Sequence, residues 1–465
     1  MKSSKLGLVA FTTSDVPGGN VYCLATVGFG LLLLVAACGF PRPADVGNDA
    51  SADSLPGSSI VHVSPSGNDA SDGRIGPVRT LKRAIAIAGT NTDVRTITMD
   101  VGRYMPQTGE TFPYVVPNNV TIIGQSTGGT ILAGTRAEDA LTIDSASLRE
   151  LEFEDFMVAL SVAGQADLQN IHIRTSKLAV RQATSSKITA NNLEIIGAVD
   201  VCGSGLELNG SADLIVSTLI SRNLITTINA KDISTLDVTN ADITADPRCA
   251  GLALSVKTSK MFMLKNSSIV GTYGAIQISG TASSPAQAMI IDTTVSNSGI
   301  ASTVDSGPAI LTIIGGKIFN NMSASQFRDG KVTLKNVRIE ANGGNGSSAI
   351  YVSGSSAQSL ASLVMRGCTV VNNRYGIAMF DYSAADLGTD ADPGNNVFQD
   401  NQLAGVTLGG IAGPQLVNAV GNTWNPMTQG SDALGKYPVP GTVAGPIQQA
   451  TGNNYDMWAG LSLRR

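Results

Sequence analysis

Glu152, His172 and Glu194 are the residues whose types and spacing best fit chemistry. They recur at intervals of roughly 20 residues, a period that predicts stacking on neighbouring units of a repeat. A histidine between two carboxylates can have a raised pKa, and it can then transfer a proton or bind a metal ion. We expect Glu154 beside Arg174 on the same face. The three residues are candidate catalytic residues, but we favour the alternative of a surface charge ladder that keeps the repeats in register.

Two acidic turns have the side chains that calcium prefers. Asp390 and Asp392 lie in one turn, and Asp69 and Asp72 lie in a Gly-rich turn near the start of the repeat. Carboxylate oxygens at such spacing can hold Ca²⁺. The alternative is that the side chains only stabilise the turns through backbone hydrogen bonds. Calcium is therefore the one cofactor left open, and we expect no other.

Five cysteines indicate an envelope protein. Cys23 and Cys38 lie in the N-terminal leader region, whereas Cys202 and Cys249 fall in comparable loops two repeats apart. Strands in successive repeats stack about 4.8 Å apart, so these loops start near 10 Å from each other, which is too far for a disulfide. The bridge forms only if both loops fold toward each other. Cys368 has inward strand parity and is expected to be a buried thiol.

A short aliphatic pattern recurs about every 24 residues from Leu148 to Phe398. Within each unit the side chains alternate, with Leu151 and Phe153 inward and Glu152 and Glu154 outward. Such strands cannot bury a face alone and need a partner above and below. The pattern predicts an all-β fold, a single-stranded right-handed parallel β-helix of about 11–12 coils. The expected second inward residues are Phe153, Ile173, Ile195, Leu219, Ile243, Ile269, Val295, Ile318, Ile339, Val370 and Phe398.

The solenoid is expected to span residues 60–430 and to be capped at both ends. The segment from Pro77 to Gly89 predicts an amphipathic N-terminal helix with Leu81, Ile85 and Ala88 on its inner side. Residues 431–465 are rich in Pro and Gly and predict a C-terminal cap or tail. Turn asparagines, which tolerate left-handed backbone, recur at Asn192, Asn209, Asn240, Asn266, Asn320, Asn336, Asn342 and Asn372.

The N-terminus predicts a lipoprotein. Residues 1–37 read as a signal peptide, because their apolar run ending at Ala37 is too short to span a bilayer. Val35-Ala36-Ala37-Cys38 resembles the bacterial lipobox, so Cys38 is the expected lipidation site. Residues 38–59 read as a flexible tether. Gly39 after the cysteine favours the outer membrane of a Gram-negative bacterium, which makes the protein a lipid-anchored part of the cell envelope.

Composition argues against nucleic acid as a partner. The net charge is −5 and becomes −6 without the leader, so the surface does not neutralise phosphates. Aromatic residues make up only 5%, which leaves few platforms for sugar rings. Tyr104, Tyr273, Tyr351 and Tyr375 are the residues of the repeat region that could each contribute singly.

Three segments together resemble one bacterial family. They are HVSPSGNDASDGRIGPVRTLKRAIAIA, VGRYMPQTGETFPYVVPNNVTIIG, and DLGTDADPGNNVFQDN with GNTWNP. They are similar to domain of unknown function 1565 over nearly all of Ile60 to Pro426. The resemblance implies a pectate-lyase-like right-handed parallel β-helix in a secreted or lipid-anchored protein. The family has no agreed reaction, so the resemblance assigns no catalytic residue.

The expected function is that of a non-catalytic binding module. A rigid solenoid held at a membrane through a lipid would offer a long surface to polysaccharide or to another envelope component. The alternative is a polysaccharide lyase or glycoside hydrolase with an unrecognised active site. The sequence does not decide whether the protein is an enzyme.

Overall fold

The structure is a computed structural model. It describes residues 59–424 except 199, 201, 250, 258, 282–283, 305–308, 344–346, 403 and 409–414, together with 447–449 and 462–464. The predicted signal peptide, the lipidation site Cys38 and almost all of the tether lie outside the described residues. None of the helices in the described part of the chain has the length and apolar character needed to cross a bilayer.

The chain forms an all-β parallel solenoid with about 12 turns between Val120 and Leu408. Each turn has strands on three faces, which we name A, B and C in chain order. Face A contains Ile60–Val63, Thr96–Met99, Val120–Gly124, Asp213–Val216, Thr235–Thr239, Met261–Lys265, Ala286–Ile291, Ala309–Ile314, Gly330–Lys335, Ala361–Arg366, Ser383–Asp386, Gln415–Asn418 and Ser462–Arg464. Face B contains Gly102–Tyr104, Thr130–Ala133, Leu219–Arg222, Ala241–Thr244, Ser268–Val270, Thr294–Ser296, Lys317–Phe319, Arg338–Glu340, Thr369–Val371, Val397–Gln399 and Thr423–Trp424.

Face C contains Tyr114–Val116, Leu178–Gln182, Ser204–Asn209, Thr226–Lys231, Leu252–Lys257, Gly274–Ser279, Ile300–Val304, Ser323–Arg328, Ser348–Ser353, Tyr375–Met379, Ala404–Leu408 and Ile447–Gln449. Three long strands bend around the corners between faces: Leu141–Glu154 and Val158–Arg174 cross faces C, A and B, and Lys187–Ile196 crosses A and B. Two short 3₁₀ turns lie at Pro106–Thr108 and Pro247–Cys249. Two of the strands, Ile447–Gln449 and Ser462–Arg464, fall in the segment expected to be the C-terminal cap, and they pair in parallel with the solenoid.

The core is a set of aliphatic rows along the axis, because the same position of each strand stacks on the next turn. The expected second inward row is confirmed from Phe153 to Phe398 with one exception. Ile195 stacks on Ser221, and Leu219 belongs to the first inward row beside Leu193. The buried Ser221 hydroxyl is satisfied by the Thr227 hydroxyl at 2.8 Å, so a polar residue is tolerated at an inward position.

One helix, Leu81–Thr90, lies near the N-terminal end. It begins at Leu81 rather than at Pro77, since Thr80 is the N-cap and accepts a hydrogen bond from the Arg83 amide. Its fully buried residues are Leu81, Ala84 and Ala88, whereas Ile85 is only partly buried.

Asparagines at the turns have two different structural roles: some adopt a left-handed backbone conformation, and others form buried side-chain hydrogen bonds. Asn192, Asn240, Asn266, Asn320, Asn336 and Asn372 have positive φ, which confirms the predicted left-handed turns at these positions. By contrast, Asn209 ends the face C strand Ser204–Asn209 and does not have positive φ. Asn342 instead belongs to a buried ladder with Asn321, Asn373 and Asn401. The side-chain amides of Asn321, Asn342 and Asn373 each donate to the side-chain oxygen of the next member. The amide of Asn401 donates to the Val370 carbonyl of the preceding turn, so the polar groups inside the corner are satisfied.

Candidate functional site

The charged ladder lies on face B, with Glu152, His172 and Glu194 in direct register. Glu152 is 4% exposed. His172 Nδ1 lies 3.3 Å from Glu194 and 3.9 Å from Glu152. The expected stacking of these residues on consecutive turns is therefore confirmed, while their role in catalysis stays a prediction.

Two arginines form ion pairs with the carboxylates of the ladder and with the neighbouring Glu154. The Arg174 guanidinium lies 3.1 Å from Glu152 and 3.1 Å from Glu194. Glu154 is in register with Arg174 but forms its ion pair with Arg103, at 2.5 Å. The cluster thus alternates acids and bases, an arrangement that favours one strand register over a shifted one.

Burial sets the protonation of this cluster. Burial raises the pKa of Glu152, and the neighbouring Glu154 raises it further against the opposing effect of Arg174. Burial lowers the pKa of His172 and outweighs Glu194, which acts in the opposite direction. The expectation of a raised histidine pKa is therefore wrong, because desolvation penalises the imidazolium more than the carboxylates stabilise it.

The Glu152 carboxyl group, whose pKa is raised, thus lies beside the His172 imidazole, whose pKa is lowered. Such a pair could relay a proton. Access is restricted, however, since Glu152 is nearly closed off from solvent and the Gly128 turn lies over it. Among the described residues, no group of three His, Cys, Asp or Glu side chains is placed to hold a metal ion.

The acidic turns use their carboxylates for local structure. Asp69 accepts hydrogen bonds from the Arg79 and Thr80 amides at 2.8 and 2.9 Å, and Asp72 accepts from the amides that follow it. Backbone hydrogen bonds lower the pKa of Asp72, that from Ile75 most strongly.

In the other acidic turn, Asp392 pairs with the Arg366 guanidinium at 2.7 Å. Asp390 in the same turn is exposed. The turn interpretation therefore accounts for the contacts of Asp69 and Asp72, whereas the Asp392 carboxylate forms an ion pair with Arg366 on a neighbouring strand.

The structure joins Cys202 and Cys249 in a disulfide with Cα atoms 5.3 Å apart. The turn between them in the stack, Asn223 to Ile225, is short, so the two longer loops meet across it. Cys368 is a buried free thiol.

An outward row of side chains on face C begins with the charged residues Arg181 and Glu207 and continues without charge from Asn229 onward. The uncharged members in register order, all polar except Ala378, are Asn229, Ser255, Gln277, Thr303, Gln326, Tyr351, Ala378 and Thr407. Hydroxyl and amide groups both donate and accept hydrogen bonds. The row therefore offers such a group about every 4.8 Å along the turns from Asn229 to Gln326.

The row ends in an aromatic cleft of about 320 Å³. The rings of Tyr351 and Phe380 stack there with centroids 4.8 Å apart and planes 27° apart, and Tyr375 also lines the cleft. The remaining lining residues are Ser323, Gln326, Ser347, Ser348, Ala378 and Thr407.

Sequence reasoning named Tyr351 and Tyr375 singly and missed Phe380. Phe380 directly follows the strand Tyr375–Met379 and lies outside the repeated pattern. Tyr351 is in register with Ala378, so the position of Phe380 two residues after Ala378 is the only signal in the sequence for the contact between Tyr351 and Phe380.

A second groove, of about 370 Å³, lies on face A where the long strands bend. Its lining is polar and includes the charged residues Asp167 and Lys187 beside Ser147, Gln165 and Thr189. The Asp167 carboxylate accepts a hydrogen bond from Gln169 at 3.0 Å and lies 3.7 Å from Arg149. This groove therefore differs from the face C cleft in carrying formal charge and no aromatic ring.

Comparison with solved structures gives remote likenesses. The Azotobacter vinelandii mannuronan C-5 epimerase AlgE6 A-module is 13% identical, with coverage of 78% of this chain and 93% of that chain and a TM-score of 0.39. The catalytic domain of a GH87 alpha-1,3-glucanase with tetrasaccharides is 13% identical, with coverage of 80% and 70% and a TM-score of 0.45. At these TM-scores the likeness carries no argument about activity.

No curated protein matches the sequence significantly. The family match covers the N-terminal part of the solenoid rather than the whole span from Ile60 to Pro426. Within that part, residues 65–226 match the family described as "Protein of unknown function (DUF1565)", the family that the sequence resembles.

Proposed function

We propose that this protein is a non-catalytic, lipid-anchored component of the cell envelope whose solenoid binds polysaccharide along face C. In this proposal Cys38 carries the lipid and the outer membrane of a Gram-negative bacterium is the location. The uncharged polar row on face C is the observation that carries the binding function.

Polysaccharides present a dense array of hydroxyl groups, and protein groups that both donate and accept hydrogen bonds match such an array. Ser255 and Thr303 are partly exposed on face C. A parallel solenoid repeats such groups in a straight line on a rigid support, which lowers the entropy cost of binding an extended chain.

The other two faces have different surfaces. Face B begins with the charged ladder described above. Face A exposes Met261 and Ile310 to about two fifths of their area in the middle turns, with Met263 and Met289 partly exposed between them. An apolar or ion-paired surface matches sugar hydroxyls poorly, so face C is the better candidate.

The direct test is binding of the full chain, in detergent, to a panel of immobilised polysaccharides. Ser255→Ala with Thr303→Ala should weaken retention about tenfold, as expected for two lost hydrogen bonds. Thr312→Ala with Thr333→Ala removes two hydroxyls from face A in neighbouring turns and is the matched control. Equal retention of both double variants would place binding elsewhere.

The anchor is tested separately by Cys38→Ser. The protein with Cys38 should partition into the detergent phase and carry a fatty acyl mass on its N-terminal peptide. The Cys38→Ser variant should remain in the aqueous phase. Identical partitioning and no acyl mass would contradict the anchor without affecting the polysaccharide proposal.

A second candidate function is supported by the pKa of Glu152, which burial raises. A carboxyl group with a raised pKa, next to the ion-paired Glu154 carboxylate and to the His172 imidazole with its lowered pKa, has the elements of acid and base catalysis on a sugar bond. New reducing ends or unsaturated products from a polysaccharide, lost in Glu152→Gln, would favour an enzyme. The names of the structural neighbours also refer to carbohydrates, but at TM-scores under 0.5 they add no weight.

A further inference from the structure

We propose that the aromatic cleft at Tyr351 and Phe380 is a subsite for a neutral sugar unit rather than for a uronic acid. This inference rests on the proposed function, since it names the class of polysaccharide that face C would bind. It also assigns the residues that select that class.

The fold builds this cleft from four successive turns, the last of which contributes Thr407. Gln326, Tyr351 and Ala378 follow one another in register, and the small Ala378 leaves room beside the tyrosine. The chain then leaves face C at Phe380, whose ring stacks on Tyr351. Both rings are partly exposed, so they offer the apolar surface on which the C–H face of a sugar ring packs.

The polar lining consists of groups that are both donors and acceptors. Ser323, Ser348 and Thr407 bring hydroxyls, and Gln326 brings an amide. Sugar hydroxyls also donate and accept, so these groups can bond a neutral sugar in several orientations. The volume of about 320 Å³ is at the lower end for small-molecule sites and suits about one or two sugar units.

Among the described residues that line the cleft, none has a charged side chain. A uronate carboxylate buried there would lack an arginine, a lysine or a metal ion to offset its desolvation. The Arg374 guanidinium lies 6.0 Å from the centre of the Tyr375 ring and is not among the residues that line the cleft. Charge therefore selects against acidic polysaccharides at this position.

The test compares neutral and acidic oligosaccharides of equal length. The full chain in detergent is titrated calorimetrically with gluco-, galacto- and mannohexaoses and with the corresponding hexauronates. We expect at least one neutral hexamer to bind, and the uronates to bind at least tenfold more weakly. Tyr351→Ala should weaken the neutral ligand about tenfold, and Tyr351→Phe, which keeps the ring, should stay within about fivefold.

Phe319→Ala is the matched control, because Phe319 is a partly exposed aromatic residue on face B and lies outside the cleft. It should leave the affinity unchanged. Gln326→Ala removes a polar lining group without changing the ring stack, so it provides a second test if Tyr351→Ala lowers the melting temperature. We expect Gln326→Ala to weaken the neutral ligand about fivefold.

The possible failures are distinguishable. Tighter binding of a uronate, or neutral binding that is unchanged in both Tyr351→Ala and Gln326→Ala, would overturn the subsite and leave polysaccharide binding by face C intact. Absence of binding to every oligosaccharide, with no retention on the immobilised panel, would overturn the proposed function and the subsite together.

Discussion

At the scale of single residues, the face B ladder combines two opposite proton equilibria. The pKa of Glu152 is raised above its ordinary value of 4.5, so its contribution to stability is fully present below that pH and is lost as the pH rises through the folded value. The pKa of His172 is lowered below 6.5, so its contribution is present above 6.5 and is lost as the pH falls through the folded value. Glu152 therefore stabilises the folded protein at low pH, whereas His172 stabilises it near neutral pH.

Glu152→Gln separates these contributions, because glutamine cannot ionise. We expect the variant to gain stability relative to the unmodified protein as the pH rises from 4.5 toward 7. The measurement is urea unfolding at several pH values, with Glu207→Gln on face C as the matched removal of a carboxylate. A stability difference independent of pH would show that Glu152 ionises alike in the folded and unfolded chains.

The stacking of these three residues was predictable from the sequence, since the repeat spacing and the strand alternation place them in one outward row. The direction of the histidine pKa shift was not. It depends on the burial that the folded cluster imposes on His172, and no local sequence pattern reports that burial.

At the scale of elements, the buried asparagine ladder links one corner of four consecutive turns of the solenoid. Asn342 accepts hydrogen bonds from the main-chain and side-chain amides of Asn321, both at 3.0 Å. It also donates to the carbonyls of Ile318 and Glu340. Turn asparagines were predicted, but which of them face inward depends on the corner geometry, as Asn320 and Asn342 illustrate.

Asn342→Ala should lower the free energy of unfolding by about 3–5 kcal/mol, because several buried polar groups lose their partner at once. Asn320→Ala is the control; Asn320 is exposed with φ of 55°, and its replacement should cost only about 1 kcal/mol. Urea unfolding of both variants gives the comparison. Equal losses would mean that the ladder adds nothing beyond its backbone conformation.

The disulfide between Cys202 and Cys249 closes a loop with a sequence separation of 47 residues. Replacing both cysteines with serine should cost about 2–4 kcal/mol by relaxing the unfolded chain. The melting temperature of the unmodified protein should therefore fall when reductant is added, and that of the double variant should not change. A reductant effect that persists in the variant would show that the reductant does not act through the bond between Cys202 and Cys249.

At the scale of the whole molecule, one backbone plan carries three chemically different faces. The aliphatic period and the alternation were sufficient to predict the solenoid, since every turn repeats the same inward rows. The aromatic cleft could not be predicted, because it depends on how Phe380 leaves the repeated pattern and packs on Tyr351. The disulfide likewise depended on the short turn between two longer loops.

Hydroxyl-radical footprinting of the full chain, with and without a retained polysaccharide, tests the central claim most directly. Tyr351, Tyr375 and Phe380 line the face C cleft, whereas Met261, Met263 and Met289 lie on face A and serve as internal controls. We predict that polysaccharide lowers the oxidation rate of the three aromatic residues and leaves the methionines unchanged. Protection of the methionines with unchanged aromatic residues would contradict the assignment of binding to face C.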